Sequence, residues 1–398
     1  MTSLIDYCRA EIESLKAAKT WKKERVLEGP TGARVNVDGR SVLMLTSNNY
    51  LGFANHPRVV DAARNALGRW GNGLGSVRFI CGTQQLHKDL EAAISKFFGT
   101  EDTILYMSCW NANEGLFAPL LGEEDALLSD ALNHASIIDG IRLCKAKRYL
   151  VPHGDLAALE TALKESQAQR RRLFITDGVF SMEGEIGPLG AFADLCERYD
   201  ATMVVDDSHA TGVLGKTGRG SAEELGVMEK VKIFTSTLGK AMGAAAGGFT
   251  TGPAPVVDLL RQRSRTSLFS NALPPAVAAG SLEAFKMLME DPAPALRVQK
   301  NARTFRAKMK AAGFRIPEGI HPIVPVIVGD TAKALAMSNA LFEKGVYVSG
   351  FGFPVVPQGH ARLRCQISAV HTDDDLQEAV DAFVAVGREF GVVSGTSS

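Results

Sequence analysis

Cysteine is scarce in this 398-residue sequence, and charge of neither sign is in excess. The six cysteines lie far apart and form no C-x-x-C pair, which argues against a zinc knuckle and a disulfide framework. We expect reduced thiols and no bound metal. Lysine plus arginine and aspartate plus glutamate each number 44. Because no basic or acidic block stands out, neither nucleic acid nor an anionic membrane is expected as a partner.

Long apolar runs are also missing. The start, "MTSLIDYCRAEIESLK", lacks the cationic segment and apolar core of a secretory signal, and no run approaches the roughly 18 apolar residues that span a bilayer. These features predict a soluble, cytoplasmic protein. With 45% hydrophobic residues, the chain has enough material for a large core divided among two or three domains.

The two ends of the chain differ in pattern from its middle. Residues 1–45 predict an N-terminal arm, with a helix between residues 4 and 15 and a hairpin in "VNVDGRSVLML" that turns at Asp38-Gly39. Residues 281–398 predict a small C-terminal α+β domain. Its last helix should begin at Thr372, a favourable N-cap with Asp375 three residues later.

Residues 46–280 predict a large α/β domain, because short apolar runs alternate there with segments of helix length. The runs are "TILYM", "ALLSD", "RLFITD", "TMVVDD", "KIFTST" and "GGFTTG". Continuous apolar strands separated by amphipathic helices are typical of a mostly parallel sheet covered on both faces. In such sheets the ligand binds at the carboxyl ends of the strands.

Two glycine-flanked lysines are candidates for chemistry. The first, Lys216, lies in "ATGVLGKT", which satisfies the loose nucleotide-loop pattern. A true loop of this kind needs a helix that begins at its Lys-Thr, whereas Gly218 and Gly220, both poor helix formers, follow here. We therefore interpret Lys216 as an exposed loop lysine, with a nucleotide site as the alternative.

The second lysine, Lys240, lies in "TSTLGKAMG", directly after a predicted strand that ends in Ser236 and Thr237. This position puts its amine at the ligand-binding edge of the sheet. A lysine in a low-dielectric pocket keeps a neutral amine and can form an imine with an aldehyde cofactor. Taken alone, the pattern favours a surface lysine that follows a strand.

Neighbouring strand ends carry partners for such a cofactor. Asp206 in "TMVVDDSHA" could keep a pyridine nitrogen protonated, and His209 follows three residues later. His134 comes after "ALLSD", where its imidazole could stack on a flat ring. A helix that opens near residues 108–110 in "YMSCWNANEG" would offer free N–H groups to a phosphate. Capping or turn roles would explain each residue singly, but together they predict a pyridoxal phosphate (PLP) site.

Long motifs resemble the α-oxoamine synthases of PLP fold type I, from the arm to about residue 390. These are "SNNYLGFANHP", "GSVRFICGTQQLHKDLE", "DALNHASIIDGIRLCKAKRY", "TDGVFSMEGEIGPL", "VVDDSHATG", "TSTLGKAMG", "RQRSRTSLFSNAL" and "RLRCQISAVHT". Parts of the second and third are most similar to the glycine C-acetyltransferase branch. The resemblance implies a mostly parallel seven-stranded sheet in the large domain and a smaller C-terminal α+β domain.

The resemblance also implies roles for individual residues. Lys240 would bind PLP covalently and move protons at the substrate α-carbon, and Asp206 would pair with the pyridine nitrogen. His209 would bind the phenolic oxygen, and His134 would stack on the ring and bind substrate. The other implied contacts are the cofactor-lining Ser181, the phosphate ligands Cys109, Trp110 and Thr237, the neighbouring subunit's contribution through Ser270 and Asn271, and the substrate ligands Asn48 and Arg364.

The implied reaction is a reversible Claisen-type condensation of glycine with acetyl-CoA that gives 2-amino-3-oxobutanoate and CoA. It would take place in a homodimer with shared active sites. Alternatives are a related synthase of the 8-amino-7-oxononanoate, 5-aminolevulinate or 3-ketosphinganine type, a PLP aldolase or transaminase, a nucleotide-binding protein, and a purely structural role. Threonine breakdown and a biosynthetic route both stay open.

Overall fold

The computed structural model describes residues 3–18, 20–21 and 24–393. Its strands are β1 Arg34–Val37, β2 Arg40–Met44, β3 Asp102–Tyr106, β4 Ala126–Asp130, β5 Lys147–Val151, β6 Arg172–Asp177, β7 Val179–Phe180, β8 Glu185–Ile186, β9 Thr202–Asp206, β10 Ile233–Thr237, β11 Gly248–Gly252, β12 Ile323–Gly329, β13 Val346–Tyr347, β14 Ser349–Phe351 and β15 Ala361–Gln366. Its helices are α1 Leu4–Ala17, α2 Pro57–Trp70, α3 Gln85–Phe98, α4 Cys109–Glu114, α5 Phe117–Leu120, α6 Ala135–Arg142, α7 Leu156–Glu165, α8 Leu189–Arg198, α9 Ser221–Glu224, α10 Ala254–Arg263, α11 Arg265–Leu268, α12 Pro275–Glu290, α13 Ala293–Ala311, α14 Thr331–Glu343 and α15 Asp373–Glu389, with a 3₁₀ helix at Phe53–Asn55.

Seven strands form the central sheet in the order β3-β11-β10-β9-β6-β4-β5. All neighbours are parallel except β11, which pairs antiparallel with β3 and β10. The mostly parallel seven-stranded sheet is confirmed, and the six apolar runs form six of its strands. The seventh, β5, is an edge strand in which only Val151 is buried. Because Lys147 and Arg148 interrupt the apolar pattern, that strand was missed.

Apolar residues cover both faces of the sheet, which explains why its strands lack polar alternation. Successive residues of β10 point to opposite faces. Phe234 packs in one cluster with Phe285 of α12, and Ile233 packs in another with Leu260 of α10. A strand buried on both sides carries apolar or small hydroxylated residues, such as Thr235 and Ser236 of β10, instead of alternating charged ones.

The arm hairpin is confirmed, with Asp38 and Gly39 at φ values of 51° and 75° in its turn. Two successive residues with positive φ are typical of a type I′ turn. Strand β2 also pairs in parallel with β13, so the arm joins a sheet with the C-terminal part of the chain. By contrast, α1 buries no residue.

The C-terminal part contains the antiparallel sheet β12-β15-β14 with helices α13, α14 and α15. Thr372 and Asp375 form the capping box at the start of α15, as expected. The helix α12 packs on α2 and α3, and the domain boundary predicted between residues 280 and 281 falls within it. The division into three domains stays a prediction.

Candidate active site

A cavity of about 210 Å³ opens at the carboxyl ends of the central strands. It brings together eight residues singled out from the sequence: Cys109, Trp110, His134, Ser181, Asp206, His209, Thr237 and Lys240. These residues come from five separate segments of the chain. Their convergence follows from the parallel sheet, which places the ends of β6, β9 and β10 side by side.

Lys240 follows β10 and is half-buried at the wall of the cavity. Within the described part of the chain, its ammonium group makes no hydrogen bond or ion pair. Burial lowers the pKa of Lys240 from its usual range, although the nearby carboxyl of Asp206 opposes this effect. A lowered pKa favours the neutral amine, which is the nucleophilic and basic form.

Asp206 ends β9 with only 4% of its surface exposed. Its Oδ1 accepts a hydrogen bond from the backbone N–H of Ser208 at 2.8 Å, and its Oδ2 accepts one from Nδ2 of Asn113 at 2.7 Å. The thiol of Cys109 donates to the same Oδ2 at 3.5 Å. A buried carboxyl with donors on both oxygens is held in one orientation, facing the cavity.

His134 caps α6, which confirms the capping role, and it also lines the cavity, where its stacking on a flat ring stays a prediction. Its Nδ1 accepts from the backbone N–H of Ser136 at 3.2 Å, and the backbone N–H of His134 donates to Oδ2 of Asp177 at 2.8 Å. Burial lowers the pKa of His134. The ring is therefore neutral near pH 7, and because Nδ1 accepts, the proton is on Nε2. The indole of Trp110 meets this ring edge-on at 5.9 Å.

His209 lies at the opposite wall. Its Nδ1 is 2.9 Å from the hydroxyl of Tyr50, and its carbonyl accepts a hydrogen bond from His321 at 2.8 Å. Burial lowers the pKa of His209 to well below its usual value, with the charge of Lys240 as the next cause. Tyr50 thus holds the imidazole and His321 holds the backbone of the same residue beside the cavity.

The start of α4 also lines the cavity. Ser108 caps this helix, because its hydroxyl accepts a hydrogen bond from the backbone N–H of Asn111. The N–H groups of Cys109 and Trp110 have no acceptor within the helix. Gly248 packs against this turn, and a Cβ there would collide with the backbone of Cys109. Free N–H groups, the hydroxyl of Thr237 and a neutral amine suit an anionic aldehyde such as PLP.

The loop around Lys216 is different. Lys216 is exposed, and α9 begins only at Ser221. The N–H groups of Thr217 and Arg219 donate to the carboxylate of Glu223. The groups that would hold a phosphate are thus occupied by an internal carboxylate, and the interpretation of Lys216 as a loop lysine is confirmed.

Four predicted site residues do not line the cavity within one chain. Ser270 and Asn271 lie beside a separate small cleft with Arg78. Arg364 donates to the carbonyl of Ser181 at 2.9 Å. Asn48 accepts a hydrogen bond at 2.7 Å from Gln366, which lies two residues after Arg364 in the sequence.

Sequence reasoning missed Asp177, Ser136 and Asn113, which lie in or behind the cavity wall. Asp177 carried the same signal as Asp206, a carboxyl at the end of a buried run. Burial, with the nearby Asp206, raises the pKa of Asp177 well above its usual value. Asn113 gave no signal, because its partners come from separate segments.

Comparison with known proteins agrees with this geometry. The family model described as aminotransferase class I and II matches residues 40–383. The 2-amino-3-ketobutyrate coenzyme A ligase, mitochondrial, of Mus musculus is 53% identical over 96% of this chain and 93% of its own. The 2-amino-3-ketobutyrate coenzyme A ligase of Salmonella typhimurium is 49% identical over 96% of this chain and 97% of its own. The 8-amino-7-oxononanoate synthase of Thermosipho melanesiensis is 46% identical over 96% of this chain and 98% of its own.

Solved structures show the same architecture. Serine palmitoyltransferase from S. paucimobilis, in a structure with bound PLP-myriocin aldimine, matches with a TM-score of 0.93 at 30% identity, over 98% of this chain and 100% of that chain. The Sphingomonas wittichii serine palmitoyltransferase matches with a TM-score of 0.93 at 31% identity, over 99% of this chain and 100% of that chain.

Proposed function

We propose glycine C-acetyltransferase activity for this chain, which belongs to the aminotransferase class I and II family and, within it, to the α-oxoamine synthases. The enzyme is PLP-dependent and condenses glycine with acetyl-CoA to give 2-amino-3-oxobutanoate and CoA. The observation that carries this assignment is the cavity that Lys240 and the buried carboxyl of Asp206 both line. Relatives at 53% and 49% identity bear the corresponding ligase name.

The chain's own residues divide the work of the reaction. When bound, PLP supplies an electron sink for the carbanion that forms at the α-carbon of glycine. We assign to Lys240 the covalent hold on the cofactor and, as a free amine, removal of the α-proton at Nζ. Its lowered pKa supports both tasks. Asp206 holds a proton on the ring nitrogen through its fixed carboxyl.

The two histidines orient the reacting groups in this scheme. His134 directs its Nε2 proton toward the cavity, where it donates to the thioester oxygen as negative charge develops there. His209 binds the phenolic oxygen of the cofactor. Ser181 lines the ring, while Thr237 and the N–H groups of Cys109 and Trp110 hold the phosphate.

Arg364 is the proposed ligand of the glycine carboxylate, together with Asn48. Its guanidinium is 4.8 Å from the ring centre of Phe351, and its Nε is buried without a partner. In the described part of the chain no carboxylate pairs with it. A substrate carboxylate would fill that gap with two parallel hydrogen bonds. Arg364→Lys, which cannot form that fork, should raise the KM for glycine at least about tenfold and change kcat much less.

A homodimer with shared active sites is part of the proposal. Ser270 and Asn271 lie outside their own chain's cavity, which supports a role in the neighbouring one. Mixing inactive Lys240→Ala and Asn271→Ala subunits should restore activity, because a hybrid dimer contains one intact site. If the mixture stays inactive although the subunits exchange, the proposal that the two subunits share each active site is wrong.

A thioester panel tests the acyl donor. CoA release with glycine should be fastest with acetyl-CoA, and the product mass should match 2-amino-3-oxobutanoate. The 46% identical synthase from Thermosipho melanesiensis makes 8-amino-7-oxononanoate synthesis the second candidate, for which pimeloyl thioesters with alanine should react faster. Absence of release with every thioester would remove the proposed function.

Pathway and location are proposals too. We place the enzyme in the cytoplasm and in threonine breakdown, where the cleavage direction consumes CoA. The mouse relative is named mitochondrial, whereas the name of the Salmonella relative gives no compartment. In the described residues no helix is both long and apolar enough to cross a membrane. Cell fractionation and growth on threonine after gene deletion test these two points.

A further inference from the structure

Behind the cavity wall lies Asn113, a fully buried residue of α4. Its Nδ2 donates to Oδ2 of Asp206 at 2.7 Å and to Oγ of Ser136 at 2.9 Å. These two bonds use both protons of the amide nitrogen, and Sγ of Cys109 is a weaker third acceptor at 3.8 Å. Asn113 therefore connects the carboxyl that ends β9 with the first turn of α6.

The orientation of this amide is fixed by its partners. A carboxylate can only accept, so reversing the amide would place two acceptor oxygens 2.7 Å apart at Asp206. In the observed orientation, Oδ1 of Asn113 is buried and has no hydrogen-bond partner in the described part of the chain. An unsatisfied buried oxygen is unfavourable and rare, so the two bonds made by Nδ2 must matter more.

The second bond reaches His134 through Ser136. Because the hydroxyl of Ser136 accepts from Asn113, its own proton is free to point to Nδ1 of His134, 2.8 Å away. The backbone N–H of Ser136 donates to the same Nδ1. Both donors keep Nδ1 without a proton and hold the proton of the neutral ring on Nε2.

Close packing holds the network in place. Gly140 of α6 lies against the backbone carbonyl of Asn113, and a Cβ at that glycine would clash with the carbonyl carbon and oxygen. A larger residue would push α6 away from α4 and stretch the bond between Asn113 and Ser136. The spacing of the two helices is therefore matched to the network.

We propose that Asn113 is a positioning residue that aligns two proposed catalytic groups at once, the carboxyl of Asp206 for the cofactor's ring nitrogen and, through Ser136, the imidazole of His134 for the substrate. The inference rests on the proposed function for the meaning of these groups. The hydrogen-bond network itself is a property of this chain. Asn113 touches neither cofactor nor substrate and acts only through its two partners.

The test compares holoenzymes of the wild type and Asn113→Ala. Loss of the bond to Asp206 should lower kcat about 10- to 100-fold, because a hydrogen bond to a charged group is lost. The KM for glycine should stay within about threefold, since Arg364 is unchanged. The PLP dissociation constant, measured by equilibrium dialysis, should rise about tenfold.

Ser136→Ala removes only the hydrogen bonds of the Ser136 hydroxyl, to Asn113 and to His134. It should lower kcat by less than Asn113→Ala and leave PLP affinity near that of the wild type. In the double variant the two effects on kcat should be less than additive, because either change interrupts the same connection to His134. Fully additive effects would overturn the connection through Ser136.

Asn113→Asp keeps the shape of the side chain if Asn113→Ala does not fold. Two adjacent buried carboxyls share one proton, so a hydrogen bond to Asp206 survives at low pH and is lost as pH rises. PLP affinity of this variant should fall with increasing pH more steeply than that of the wild type. A parallel pH profile would contradict the proposed bond.

Asn301→Ala is the matched control, because Asn301 is also buried and its Nδ2 also donates two hydrogen bonds, to the carbonyls of Ser368 and His371. It should lose stability without the change in PLP affinity. The inference is wrong if Asn113→Ala and Asn301→Ala behave alike. If the wild type proves inactive with every thioester, the proposed function fails, yet the affinity measurements still decide the role of Asn113.

Discussion

Two adjacent aspartates at the end of β9 lead to two contrasting regions of the molecule. Asp206 faces the cavity that contains Lys240, whereas Asp207 accepts from the N–H and hydroxyl of Ser221, beside the loop that contains Lys216. Successive side chains at a strand end point to opposite sides, so one step along the chain separates the two environments. Both regions combine a buried carboxyl, glycines and a lysine.

The difference lies in which polar groups the protein leaves without a partner. In the loop, the carboxylate of Glu223 takes the N–H groups of Thr217 and Arg219, and Ser221 satisfies Asp207. In the cavity, the amine of Lys240 has no partner among the described residues. Polar groups at a cavity wall that lack protein partners are available to a ligand, so composition alone does not identify a site.

The largest expected effect comes from Lys240→Ala. Because the variant lacks the amine proposed to hold the cofactor covalently and to act as the base, turnover should fall at least about a thousandfold. CoA release measures the activity, and the visible absorption of the bound cofactor should also disappear. Turnover within tenfold of the wild type would show that Lys240 is not the reactive lysine.

Asp206→Asn should have the next largest effect. An amide fills the same space but cannot hold a proton on the ring nitrogen as a carboxylate does, so kcat should fall about a hundredfold. The variant should still fold, because its amide oxygen can accept from the N–H of Ser208 and its NH2 group can donate to Oδ1 of Asn113 once that amide reverses. Steady-state kinetics with circular dichroism as the folding control measure this, and unchanged kcat would remove Asp206 from the chemistry.

Much of this contrast could be predicted from the sequence. Each of the six apolar runs formed a strand, because a strand buried on both faces needs mostly apolar or small residues on both faces. The glycines after Lys216 indicated a loop, and the strand before Lys240 placed its amine at the ligand edge. These signals are local, as are the capping box of Thr372 and Asp375 and the turn at Asp38-Gly39.

Contacts between distant segments could not be predicted in the same way. Asn113 meets Asp206 across 93 positions of the chain, and Tyr50 meets His209 across 159. No residue pattern near Asn113 in the sequence indicates that it binds Asp206. The edge strand β5 was missed for a related reason. It has a neighbouring strand on one side only, and most of its residues are exposed, so it does not need the apolar run that marks the inner strands.

Asp207→Asn should change stability and not catalysis. Burial raises the pKa of Asp207 from 3.8 to about 7. The folded protein therefore binds a proton that the unfolded chain releases between these values, so this residue's contribution to stability falls as pH rises from about 4 to 7. Above pH 7 the variant should be more stable than the wild type, by about 4 kcal/mol.

Urea unfolding at pH 5 and pH 8 measures that difference, which should be much smaller at pH 5. Ser221 binds the carboxyl of Asp207 whether that carboxyl is protonated or ionised. The amide of Asp207→Asn should therefore preserve the local structure. Equal stability of variant and wild type at both pH values would show that Asp207 is ionised in the fold without cost. Unchanged kcat would separate it from Asp206.

Lys216→Ala should have the smallest effect. The side chain is exposed, and within the described residues it makes no hydrogen bond or ion pair, so stability should change by less than about 0.5 kcal/mol. Turnover and PLP affinity should equal those of the wild type. Isothermal titration with ATP should show no binding to either protein, because Glu223 already occupies the N–H groups that a phosphate would need. Binding of ATP that is lost in Lys216→Ala would mean that the nucleotide-loop pattern functions after all, and the contrast between the two lysines would fail.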